Sequence, residues 1–81
     1  MKLICLYYTY MNDTSIRNGI SKNLQTVRKQ QGLTQLEVAK KVGTTDNYYA
    51  KVERGDVMPS VKMLERLARA LSVKSSDILP F

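Results

Sequence analysis

The chain has 81 residues, 13 basic against 7 acidic side chains, a formal net charge of +6, no histidine and a single cysteine, Cys5. That length holds one small domain, and the missing histidines and lone cysteine exclude an internal disulfide, a Cys/His metal site and the commonest general base. No spacing pairs a nucleophile with a base or builds a phosphate-cradling glycine loop, so the sequence points away from an enzyme, a cofactor or a metal and, by its charge, toward a polyanion.

With one cysteine and no disulfide, a reducing cytoplasmic setting is the default. The chain opens on "MKLICLYYTY". This run is too short to span a membrane and has no small-residue cleavage site of a signal peptide. Its aromatic and branched residues favour a β-strand. In a strand, Leu3, Cys5, Tyr7 and Thr9 share one face and Ile4, Leu6, Tyr8 and Tyr10 the other. A lone strand needs a second edge. The following "MNDTSIRNG" reads as a polar linker, and Met11 competes with Met1 as the native start. Residues 1–19 are therefore expected to be an arm and linker, and residues 20–81 the folded domain.

From Ile20 the pattern turns helical. Ile20, Leu24 and Val27 recur at i, i+4 and i+7, and Gly32 is a good stop. Thr34 and Glu37 form a T-x-x-E capping box, so a second helix starts at Gln35. Val38, Ala39 and Val42 make its inner face, and Gly43 ends it. Thr44 or Thr45 caps a third helix running to Gly55. Pro59 and Ser60 open a fourth, with an apolar stripe at Val61, Leu64, Leu67, Ala68 and Leu71. Ser75 is expected to cap a fifth, short element, "SDILPF". The fold class is all-α, five helices behind an extended arm.

Only about three residues around Gly43 separate the second and third helices, the spacing of a helix-turn-helix. On a wheel of about 100° per residue, Thr45, Tyr49 and Val52 share an inner arc. Asp46, Asn47, Ala50, Lys51 and Arg54 lie opposite. Tyr48 sits at the boundary. Tyr49 is thus the core tyrosine, its hydroxyl expected to reach an edge, and Tyr48 the rim tyrosine. The outer arc carries donors and an acceptor of the kind that read base edges; a plain solvated face is the other reading.

"LQTVRKQQGLTQLEVAKKVGTTDNYYAKVERGD", continued by "PSVKMLERLARALSVKSSDIL", resembles the Cro/phage-repressor (XRE) helix-turn-helix family across residues 20–79. The resemblance implies a lambda-repressor-like domain whose third helix enters the major groove of double-stranded DNA. It places Asp46, Asn47 and Lys51 at base-reading positions. Asn47 suits adenine and Lys51 guanine, or a phosphate. Asp46 accepts from cytosine or, the preferred role, stabilises its helix's first turn. Thr34, Gln35, Tyr48 and Arg54 are implied backbone contacts. Arg28 and Glu53 match a family ion pair that holds the reading helix to the scaffold.

The resemblance further implies a sequence-specific transcriptional regulator acting as a homodimer on a palindromic operator. With no sensor segment legible, protein concentration would set occupancy. The alternative is an antitoxin-type protein-interaction module, the arm tethering a partner such as a toxin. A membrane binder is disfavoured because the basic residues form no single amphipathic face. Dimer candidates are the arm residues Leu3, Ile4, Leu6 and Tyr8, pairing with the same strand of a second copy, and the last segment, Leu71, Val73, Ile78, Leu79 and Phe81. Leu36, apolar at a usually polar position, is a candidate docking point for the arm.

Overall fold

The computed structural model describes residues 12–81, so the expected arm strand, with Leu3, Ile4, Leu6 and Tyr8, lies outside the described residues. Among the described residues four α-helices follow one another: α1 Asp13–Gln30, α2 Gln35–Val42, α3 Asp46–Glu53 and α4 Val61–Ala70. Among the described residues the structure is all-helical. The expected fifth helix is instead a single 3-10 turn, Ser75–Asp77. Its entry is fixed by the Lys74 N–H, which donates to the Asp77 carboxylate at 3.0 Å, rather than by Ser75 as a cap. Pro80 lacks an N–H and disfavours helical backbone at Leu79, so the turn cannot lengthen.

The polar stretch expected to be a linker is helix. Asn12 caps α1, its side-chain oxygen accepting from the Ser15 N–H at 2.8 Å, with Asp13 in the first turn, where a negative charge meets the helix dipole. Ile16 is in phase with Ile20, Leu24 and Val27, so the apolar stripe starts a turn earlier than expected. Gly19 sits where the tail crosses α1. A Cβ there would collide with the Pro80 side chain, so only glycine admits this approach.

The other starts follow local signals. The Thr34 hydroxyl accepts from the Glu37 N–H at 3.1 Å while the Glu37 carboxylate accepts from the Thr34 N–H at 2.9 Å, the reciprocal capping box. The Thr34 backbone N–H, then the hydroxyl, hold the Glu37 carboxyl below its ordinary value. Thr45 caps α3 and Ser60 caps α4. Gly43, at φ 83°, adopts the left-handed conformation that turns α2 into α3.

The core joins Ile20, Leu24 and Val27 of α1 to Val38, Ala39 and Val42 of α2, Tyr49 and Val52 of α3, and Leu67, Ala68, Leu71 and Ile78. Two expectations change here. Val61 is 84% exposed: the α4 stripe keeps its phase, but its first residue lies outside the packed core. Leu71 and Ile78 are completely interior, so they hold the monomer together and are no surface for a second copy. Val73 and Leu79 are half-buried and Phe81 is exposed.

Candidate nucleic-acid interface

Three residues, Gly43 to Thr45, separate α2 from α3. The Arg66 guanidinium braces this turn from α4, donating to the Val42 carbonyl at 2.7 Å and more weakly to that of Gly43 at 3.3 Å. These are the last carbonyls of α2, which otherwise lack intrahelical donors.

The faces of α3 divide as the wheel predicts. Tyr49 and Val52 are buried; Asp46, Asn47, Lys51 and Arg54 are exposed; Tyr48 is half-buried against the rim of the core. Thr45, grouped with the inner arc, is an exposed cap. The exposed arc therefore offers an amide, an ammonium, a carboxylate and a guanidinium on one side of a short helix. Thr34 is exposed at the start of α2. Arg54 pairs with Asp56 at 2.9 Å, both more than half exposed. Such a surface pair contributes little and is readily exchanged for a phosphate.

The C-terminal end of α3 is gripped from below. Arg28 Nε donates to Glu53 Oε2 at 2.7 Å and Arg28 Nη2 to Oε1 at 2.8 Å, a two-pronged pair. The third nitrogen, Nη1, donates to the Leu33 carbonyl at 2.9 Å. Glu53 is only 2% exposed. Burial works to raise its carboxyl, but the bonds from Arg28 and Gln35, with the Tyr49 hydroxyl alongside, outweigh burial and hold it below the ordinary carboxylate value. The carboxylate in turn keeps the Arg28 guanidinium raised.

Gln35, expected at the DNA backbone, turns its amide to Glu53 Oε1 at 3.1 Å. Tyr49 also departs from expectation. Its hydroxyl does not reach an edge but is buried with no well-aligned hydrogen bond among the described residues. Burial first, and the neighbouring Glu53 carboxylate second, push the phenol far above its ordinary value.

Several holding residues were not singled out from the sequence. The Glu53 backbone carbonyl accepts from the Gln25 amide at 2.7 Å and from the Ser21 hydroxyl. Arg17 Nε donates to the Gly55 carbonyl at 3.1 Å. Arg17, Ser21, Gln25 and Arg28 fall at i, i+4, i+8 and i+11, a polar stripe beside the apolar one. That periodicity is the signal that would have found them.

A helix-turn-helix whose second helix presents a polar arc while its end is clamped to the scaffold is the arrangement of a DNA-reading domain. The helix-turn-helix family model HTH_3 matches residues 24–78. The chain belongs to this family of XRE-type, DNA-binding transcription regulators. It is similar to the immunity repressor of Bacillus phage phi105, 33% identical over 60 residues, covering 74% of this chain and 42% of the repressor. It is equally similar to the antitoxin PezA of Streptococcus pneumoniae, 33% identical over 60 residues, covering 74% of this chain and 38% of the antitoxin. An HTH_3 family transcriptional regulator from Vibrio cholerae has a similar crystal structure, with a TM-score of 0.80 and 25% identity over 83% of this chain and 38% of that one. The chain thus spans about two fifths of the length of each of these three proteins.

Proposed function

We propose that the protein is a sequence-specific transcription regulator that lays α3 in the major groove and binds a palindromic operator as a homodimer. The observation that carries this reading is the exposed arc of Asp46, Asn47 and Lys51 on a helix whose opposite face and far end are locked into the core. Asn47 offers the donor and acceptor that match adenine, and Lys51 the donor for guanine. Asp46, the first residue of α3, serves the helix dipole. Thr34, Tyr48 and Arg54 flank the arc as phosphate contacts, and Gln35 exchanges its bond to Glu53 for one to a phosphate. A single copy reads too few base pairs for useful discrimination, so two copies on inverted half-sites about one helical turn apart are required. Leu79 and Phe81, with the arm residues Leu3, Ile4, Leu6 and Tyr8, are the proposed contacts between copies. No helix of the described residues is long and apolar enough to cross a membrane.

Selection of bound sequences from a random DNA pool tests this directly, because the half-site spacing reports the dimer geometry. Recovery of unpatterned sequences would defeat it. Asn47→Ala and Lys51→Ala are each expected to lose about 1–3 kcal/mol of discrimination at particular base pairs. A variant that keeps the wild-type ratio between operator and scrambled DNA removes that residue from the reading set.

Affinity is expected to fall steeply with salt as phosphate counterions are released. Arg54→Ala should make the slope shallower by about one and leave sequence preference intact. An unchanged slope in a salt titration would show that Arg54 keeps its bond to Asp56 on DNA.

The likeness to PezA favours a second reading, a protein-interaction module of the antitoxin type. It calls for weak, unspecific, salt-labile DNA binding, which a gel shift against the selected operator separates from the first.

A further inference from the structure

Three of the five arginines pair with carboxylates: Arg28 with Glu53, Arg54 with Asp56 and Arg69 with Glu65. Arg66 and Arg17 bond only neutral oxygens. Arg66 is taken up by the turn between α2 and α3. Arg17, on α1, reaches the other end of α3. Its Nε donates to the Gly55 carbonyl at 3.1 Å and its Nη2 to the Thr14 hydroxyl at 3.3 Å, while Nη1 makes no hydrogen bond among the described residues. We propose that Arg17 is a further DNA phosphate contact, made by the scaffold helix beside Arg54 at the C-terminal end of α3. It lies ahead of residues 24–78, which the family model matches.

The inference rests on the reading that α3 enters the major groove. α3 has 8 residues, a length of about 12 Å, which matches a groove about 12 Å wide. With its first turn on the base edges, its other end comes level with the phosphates of the groove wall. The charge balance at that end favours an anion. Both of its acids are engaged, Glu53 by Arg28 and Asp56 by Arg54. Asp13, one turn back on α1, forms no ion pair among the described residues. Arg17 is half-buried and held by neutral acceptors, so its positive charge is unbalanced. Its Nη1 edge can donate to a phosphate, an anion whose geometry suits the guanidinium fork. The bond to the Gly55 carbonyl fixes the fork beforehand, so little side-chain freedom is lost on contact.

A salt titration tests the contact, because a purely structural role for Arg17 would leave the slope unmoved. Arg17→Gln removes the charge and keeps an N–H donor for the Gly55 carbonyl; Arg17→Lys keeps the charge. Arg69→Gln makes the same change in net charge on α4. Each full-length variant, its fold verified by circular dichroism, is titrated on the selected operator and on a scrambled duplex. Arg17→Gln is expected to lower the slope of log affinity against log salt by about one per bound copy on both duplexes. Arg17→Lys and Arg69→Gln should keep the wild-type slope. An unchanged slope in Arg17→Gln overturns the proposal, as does an equal drop in Arg69→Gln or in Arg17→Lys. The scrambled duplex separates this result from the regulator reading. A wild type that prefers no sequence defeats that reading, while the slope on either duplex still decides whether Arg17 meets a phosphate.

Discussion

Tyr49→Ala is expected to destabilise the domain by about 3–5 kcal/mol, the cost of truncating a large core aromatic. Tyr49 is 1% exposed and is the largest of the fully buried side chains. It belongs to one core cluster with residues of α1, α2 and α4, and the surroundings of so large a ring relax only partly into the space it leaves. Domains of this size have total stabilities of about 5–15 kcal/mol, so the loss removes at least about a fifth of the total and should move the urea midpoint markedly. Tyr48→Ala should cost far less and weaken DNA binding instead. Tyr49→Phe should stay within about 1 kcal/mol of wild type, because the hydroxyl it removes is buried without a well-aligned partner. Urea melts of the three variants check the ranking. A Tyr48→Ala loss equal to that of Tyr49→Ala would show that both rings hold the core.

Arg28→Ala is expected to cost about 3–5 kcal/mol at pH 7, because it strands the Glu53 carboxylate in the interior. Replacing both partners by apolar residues, Arg28→Met with Glu53→Leu, should recover most of that loss. The pH dependence follows from the depressed Glu53 carboxyl. A group whose pKa is lower folded than unfolded stabilises the fold above its unfolded value, here 4.5, and that contribution disappears as pH falls through the lower folded value. In Arg28→Ala the guanidinium that does most to hold the carboxyl down is gone, and burial favours the protonated acid. The gap in stability between wild type and Arg28→Ala should therefore narrow as pH drops from 7 to below 4.5. A gap that stays constant over this range would mean that the pair contributes by shape and not by charge.

The parts of the fold legible in the sequence are those written in local chemistry. The Thr34–Glu37 box, the Thr45 and Ser60 caps and the left-handed Gly43 each act within a few residues, and they located α2, α3 and α4. What escaped depends on distant contacts. The first two turns of α1 look like linker because residues 12–19 hold one large apolar side chain, Ile16. Arg17 bonding Gly55 and Pro80 packing on Gly19 tie those turns to the rest of the domain. The last element shortened because Pro80 stops it. At the site, the wheel separated buried from exposed residues on α3 but carried no depth, so it sent the Tyr49 hydroxyl outward. The grip of Ser21 and Gln25 on the Glu53 carbonyl joins residues 32 and 28 positions apart, beyond any local pattern.

The clamp on Glu53 makes α3 a beam fixed at one end. Its last residue is held through both carboxylate and carbonyl, whereas Asp46 and Asn47, at the other end, are exposed and hold no part of the core. Exchanges at Asn47 should shift stability by no more than about 0.5 kcal/mol, as for a surface site free of structural duties, and loss of the Asp46 charge by about 0.3–1 kcal/mol, its share in the helix dipole. Target preference can therefore drift or be re-engineered at the free end, one side chain at a time, while the anchored end keeps every successive variant folded.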